Sequence, residues 1–238
     1  MMNGMFLSVL TLGFVLGLKH ALDPDHMVAV STIVSESASV KRSSLVGTFW
    51  GLGHTLSLLC AGVLVIALKM RISDRVALWM EFAVALMLII LGLKAIMKPL
   101  RGWKLHRHRH THNSSTHTHL HLHRGEEYTH QHRHLIGLGA RPFLVGLVHG
   151  MAGSAALTLL VLATIPSAIA GLIYIAVFGL GSVGGMLVMS SLISLPFVLS
   201  RKRFNLLSEG LQVAAGLFSV GFGLFLVWQY AVHEHLIL

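Results

Sequence analysis

Six apolar stretches give this chain its outline. They cover roughly residues 5–30, 45–68, 76–97, 136–164, 168–198 and 207–232, with polar joints between them. Each is long enough to cross a bilayer as a helix, which takes about 20 apolar residues. The pattern predicts an all-α polytopic membrane protein with six transmembrane helices. No Lys or Arg precedes the first stretch and no small-x-small cleavage site follows it, so it is read as a retained helix.

Composition agrees with that outline. The 238 residues are 54% hydrophobic and only 11% charged, where a soluble domain would carry about 25% charged residues. Mean hydropathy is +0.74. The one cysteine, Cys60, falls in the second stretch and forms no internal disulfide. It also excludes six-helix thiol-disulfide electron carriers, which need an intramembrane cysteine pair.

The net charge of +9 is unevenly placed. Lys41 and Arg42 lie between helices 1 and 2, and Arg201, Lys202 and Arg203 between helices 5 and 6. Lys98, Arg101, Lys104, Arg107, Arg109, Arg124, Arg133 and Arg141 lie between helices 3 and 4. The opposite face has only Lys69, Arg71 and Arg75. The positive-inside rule then puts the 1–2, 3–4 and 5–6 joints in the cytoplasm and both termini outside the plasma (inner) membrane. The charge is topological and implies no nucleic-acid partner.

The two halves of the chain repeat each other at an offset of 128–129 residues. Gly17-Leu18-Lys19-His20 matches Gly146-Leu147-Val148-His149, Gly51-Leu52-Gly53-His54 matches Gly179-Leu180-Gly181-Ser182, and Glu81 matches Glu209. A repeat of three helices, an odd number, must be inverted in the membrane, and inverted repeats are a transporter architecture. The chain divides into repeat 1 over 1–97, a polar loop over 98–140 and repeat 2 over 141–238. Asp23, Asp25, His26 and His54 correspond to Ala152, Ser154, Ala155 and Ser182. Of the metal-type side chains, only the histidine at 20 persists, as His149. Repeat 2 reads more as scaffold, with small residues such as Gly146, Gly150, Gly179 and Gly185 for close helix approach.

The chemistry concentrates in His20-Ala21-Leu22-Asp23-Pro24-Asp25-His26, inside the first apolar stretch. Ionisable groups in a bilayer mark ion or substrate pathways, and imidazole with carboxylate is a ligand set for divalent first-row metals. Pro24 lacks an N–H and clashes with the carbonyl of His20, so the helix is expected to break over 20–24 and free that carbonyl. His20 falls about fifteen residues into the helix, roughly 22 Å at 1.5 Å per residue, which places it near the midplane. His54, in a Gly-rich part of the second stretch, is expected to complete a site with His20 and His26, and His149 is a weaker candidate. Glu81 and Glu209, early in helices 3 and 6, are candidate gates, although a carboxylate also suits a helix N-terminus by itself.

The loop carries eleven of the seventeen histidines: His106, His108, His110, His112, His117, His119, His121, His123, His130, His132 and His134. His-rich tracts bind metals, and alternation in an extended chain places successive imidazoles on one face. The loop is expected to be an auxiliary metal-binding segment without fixed geometry.

His20-x4-Asp25-His26, followed by Leu52-Gly53-His54-Thr55, resembles the nickel/cobalt transporter family. The likeness is specific over residues 14–60 and extends to the flanks Leu18-Lys19 and Met27-Val28-Ala29. Larger members have eight helices; six resembles a shorter branch that includes urease-accessory-type nickel permeases. The resemblance implies that His20, Asp25, His26 and His54 bind and pass Ni²⁺ or Co²⁺. It implies a secondary transporter, best read as an importer, with the metal as cargo and no cofactor. Efflux, or metal delivery to a metalloenzyme, are the alternatives, and cytoplasmic metallochaperones or metalloenzyme assembly proteins are the implied partners beside the lipid bilayer. An enzyme is not expected. The histidine boxes of membrane di-metal desaturases are missing, and so is the ATP-binding Gly-x4-Gly-Lys-Ser/Thr signature.

Overall fold

The computed structural model describes residues 2–68, 73–101, 103–112, 115–124, 135–152, 167–234 and 236. Among them, α1 (Met2–His20), α2 (Pro24–Val34), α3 (Val40–Leu68) and α4 (Asp74–Arg101) precede a hairpin of β1 (Trp103–His112) and β2 (Ser115–Arg124). Then come α5 (Leu135–Gly150), α6 (Ala168–Arg203) and α7 (Asn205–Trp228), and a π-helical turn, Gln229–His233. Among the described residues four helices are long and apolar enough to cross a membrane: α3, α4, α6, and α7 with its π-helical turn. Their outward faces carry large apolar residues such as Leu64, Ile90, Leu199 and Phe218. A contiguous apolar exterior of this kind is suited to lipid rather than water.

The first and fourth apolar stretches are not single spans. The first breaks between α1 and α2, where Pro24 takes the opening position of α2 and Asp23 is extended (φ −61, ψ 142). Proline fits there because its missing N–H would have had no helical partner. The His20 carbonyl is nevertheless not left free, because a tight turn closes on it. Leu22 N donates to Lys19 O (2.9 Å) and Asp23 N donates to His20 O (3.1 Å). The stretch expected over 136–164 also stops early, with α5 ending at Gly150. The same turn closes there: Met151 N donates to Val148 O (3.4 Å) and Ala152 N to His149 O (3.2 Å). No proline marks this second break; Gly150 weakens the helix end instead. Residues 153–164 of the expected span lie outside the described residues.

Close approach of helices fixes the core. α1 packs on α6, α3 on both α5 and α6, and α4 on α7, while α2 is enclosed by α4, α6 and α7. A Cβ at Gly17 would run into the Phe178 carbonyl oxygen, and one at Gly146 into that of Trp50. A Cβ at Gly181 would meet Phe14 O, and one at Gly53 would meet Phe143 O. Each pair of contacts maps onto the other at the 128–129 offset. Around α2, Val28, Ala29, Val30 and Val34 are buried against Trp50, Leu88 and Met186.

One end of the bundle gathers positive charge on a residue that the sequence pattern did not single out. Glu36, just past α2, accepts from Lys98 Nζ at 2.9 Å and lies 3.9 Å from Arg141 Nη1. Arg201 Nη1 donates to the Glu36 backbone oxygen at 3.2 Å. Lys98, Arg141 and Arg201 belong to the joints expected on one membrane face.

The histidine-rich segment has regular backbone where a loop without fixed geometry is expected. Its two strands pair antiparallel, with His106 opposite His121, His108 opposite His119, and His110 opposite His117. The period-2 alternation that marks the tract in sequence is the repeat a strand requires. His130, His132 and His134 lie outside the described residues.

Candidate metal centre

Four histidines meet where the two helix breaks face each other. His20 closes α1, His26 sits in the first turn of α2, His54 is mid-way along α3, and His149 is one residue from the end of α5. Small residues bring these elements together. A Cβ at Gly150 would crowd the His54 carbonyl and the Ser57 hydroxyl, so α5 can reach α3 only as glycine. Ring centroids are 4.3 Å apart for His20 and His26, 4.9 Å for His20 and His54, 5.3 Å for His26 and His54, and 3.9 Å for His26 and His149. All four are buried; His26, His54 and His149 are 0–1% exposed.

Carboxylates hold three of these rings from one side. His20 Nδ1 donates to Asp23 Oδ2 at 2.6 Å, and His26 Nδ1 donates to Asp25 Oδ1 at 3.1 Å. His149 Nε2 donates to Asp25 Oδ2 at 2.8 Å. Such pairing fixes the tautomer, orients the ring and raises the basicity of the other nitrogen, as in metal-ligating histidines. The opposite nitrogens are buried without a partner: His20 Nε2, His26 Nε2, His149 Nδ1 and both nitrogens of His54. A buried polar atom left unsatisfied costs about 1–3 kcal/mol, so these nitrogens have the lone pairs and the incentive to meet a ligand. Two groups have donor atoms within 4.8 Å of one another: His20, His26 and His54, and Asp25, His26 and His149. Neutral imidazoles with one carboxylate suit nickel, cobalt or zinc and are poorly matched to Mg²⁺ or Ca²⁺.

The other expected positions have separate places. Asp23 is in neither donor group and serves the ring of His20. Glu81 lines a cavity of about 160 Å³ that also touches Pro24, Asp25, Ala152, Phe222 and Tyr230. The Tyr230 hydroxyl donates to the Glu81 carboxylate. Glu209, near the start of α7, is not part of that lining. Trp50 went unnoticed in the sequence, yet its ring stacks on His26 (centroids 5.9 Å, planes within 10°) and lies 5.6 Å from His149. Its signal was available, since Trp50 precedes His54 by one helical turn on the same face of α3.

The model of the family described as "High-affinity nickel-transport protein" matches residues 6–207, most of the chain and all of this cluster. The chain belongs to the high-affinity nickel-transport protein family. Among its relatives is the urease accessory protein UreH of Bacillus sp. (strain TB-90), 42% identical over 97% of this chain and 95% of that protein. Two Arabidopsis thaliana proteins, chloroplast proteins FOR GROWTH AND FERTILITY 2 and 1, are 26% and 28% identical. Each match covers 90% of this chain but only 55% and 57% of theirs. No solved structure matches the chain. Family membership and the apolar helices together make this an integral membrane protein of nickel-related transport or metal delivery.

Proposed function

We propose that this protein is a secondary transporter that takes up Ni²⁺ or Co²⁺, with His20, Asp25, His26, His54 and His149 lining the metal's path. The observation that carries this reading is the set of five unpartnered imidazole nitrogens enclosed between two helix breaks. Irregular backbone at membrane depth is tolerated only where it is buried in protein or lines a cavity. The metal is cargo, and the chain performs no chemistry on it beyond ligand exchange.

The proposed architecture is two inverted three-helix repeats, 1–97 and 141–238, joined by the histidine-rich segment 98–140. Supporting it are the matched turns at His20 and His149 and the reciprocal glycine contacts. In the proposed orientation both termini are outside and the histidine-rich hairpin is cytoplasmic. The convergence of Lys98, Arg141 and Arg201 on Glu36 supports this, because it puts three basic joints at one end of the bundle. Glu81 and Glu209 are proposed as gates on opposite faces, and the loop histidines as an auxiliary metal reservoir.

A second reading, delivery of metal to an assembling metalloenzyme without transport, draws on the Bacillus relative named as a urease accessory protein. One experiment separates the two. Purified protein in proteoliposomes of defined orientation is offered Ni²⁺, Co²⁺, Zn²⁺ and Mn²⁺, and internal metal is followed with time. Saturable inward flux of Ni²⁺ or Co²⁺ is the expected result. Binding without flux would favour delivery, and outward flux alone would favour export.

A further inference from the structure

The four histidines and Asp25 form two ligand groups rather than one, and the groups share a residue. Asp25, His26 and His149 supply one carboxylate and two imidazoles; His20, His26 and His54 supply three imidazoles. His26 lies between them. Its ring is 3.9 Å from His149 on one side and 4.3 Å and 5.3 Å from His20 and His54 on the other, while His54 and His149 are 6.4 Å apart. Its two nitrogens are also unequal. Nδ1 faces the Asp25 carboxylate, and Nε2 has no partner.

The two groups differ in access. Asp25 is partly exposed and lines the 160 Å³ cavity beside Glu81 and Tyr230. His20 and His54 are buried and form no part of that lining. A cation arriving through the cavity meets the carboxylate first.

Resting on the transport reading, we propose that these are two successive metal positions used in alternation, with His26 as the common ligand that hands the ion across. In the outer position a divalent transition-metal ion is held by Asp25, His26 and His149. In the inner position it is held by His20, His26 and His54. The transfer exchanges Asp25 and His149 for His20 and His54 while one bond to His26 is kept or remade, so the ion is never stripped of all protein ligands. A neutral imidazole has one lone pair for a metal, and two dications this close repel strongly. The positions therefore exclude each other. A shared ligand also keeps each position from holding the ion too tightly to release it, since conduction needs sites that bind and let go.

Trp50 provides a local probe, because its ring contacts both His26 and His149. In the full chain with Trp79, Trp103 and Trp228 changed to Phe, Trp50 is the one remaining tryptophan, and Ni²⁺ or Co²⁺ at either position should quench it. His54→Ala and His149→Ala should each keep the quench, with affinity weakened by roughly 10–100-fold, the usual cost of disturbing a ligand shell. His26→Ala and the double variant His54→Ala/His149→Ala should lose it. Both single variants should lose flux in proteoliposomes although they still bind. His54→Asn and His149→Asn, which keep a polar side chain of similar size, should give the same pattern and guard against misfolding. If either single variant of both the Ala and Asn kind abolishes the quench, there is one site and the hand-over is wrong. Flux that survives in a single variant would also overturn it. An unmutated histidine set that quenches but carries no metal across the membrane would instead overturn the transport reading.

Discussion

Asp25 Oδ2 accepts a hydrogen bond from His149 Nε2 at 2.8 Å, across 124 residues of chain. The other oxygen of the same carboxylate accepts from His26 Nδ1 at 3.1 Å. One side chain in the first half thus aims two histidines, one from each half.

Replacing Asp25 should therefore disturb both rings at once. Asp25→Asn keeps the volume but puts an amide N–H where a second acceptor oxygen stood. Metal flux should fall below detection while the protein still inserts, and His20→Ala and His26→Ala should behave the same way. Transport assays on membrane-inserted variants check this. Wild-type flux in all three would remove the cluster from the path.

Asp23→Asn should be milder. Asp23 holds the ring of His20 without belonging to either donor group. Loss of an orienting carboxylate typically costs 10–100-fold in metal affinity or activity. The expected outcome is a raised half-saturation for metal, read from flux against Ni²⁺ concentration, with transport retained.

Packing predicts a contrast between glycines. At Gly17 and Gly146 a Cβ would strike a backbone carbonyl on the facing helix, whereas at Gly210 and Gly221 nothing lies within 4 Å. Gly17→Ala and Gly146→Ala should destabilise by about 1–3 kcal/mol through overpacking. Gly210→Ala and Gly221→Ala should be neutral or slightly stabilising, since alanine suits a helix interior better by about 1 kcal/mol. Thermal unfolding in detergent distinguishes the two pairs.

Topology is tested by labelling. In a Cys60→Ala background, cysteines placed within 106–134 should react only with reagent on the cytoplasmic side, and cysteines at the C-terminus only from outside. Reaction of both from one face would contradict an odd number of spans between them.

Removing 106–134 should leave the membrane helices able to fold, because the two described strands in it satisfy their backbone hydrogen bonds against each other. Metals bound per chain should fall, and saturable flux should remain with altered behaviour at low metal. A folded deletion variant with no flux would make the hairpin part of the path.

Much of this was legible along the chain because it depends on local rules. Apolar length marks the spans, Pro24 marks the first break, and the spacing of His20, Asp25 and His26 marks the metal motif. The alternating histidines already carry the period of a strand. The rest depended on facing surfaces that no local pattern encodes. The break after His149 has no proline to announce it, and His149 looked like a lone membrane histidine until α5 met α2. The pattern along the chain singles out neither Trp50 nor Glu36. Asp23 and Asp25 look alike in sequence, yet one steadies a ring and the other joins a ligand group. Sequence by itself determined which ionisable residues interrupt the apolar stretches, because burying charge in an apolar phase is costly and leaves a mark wherever it is done. Only the tertiary structure decided how they group, because a ligand set is a matter of distances of a few ångströms, set here by glycines that let backbones from the two halves touch.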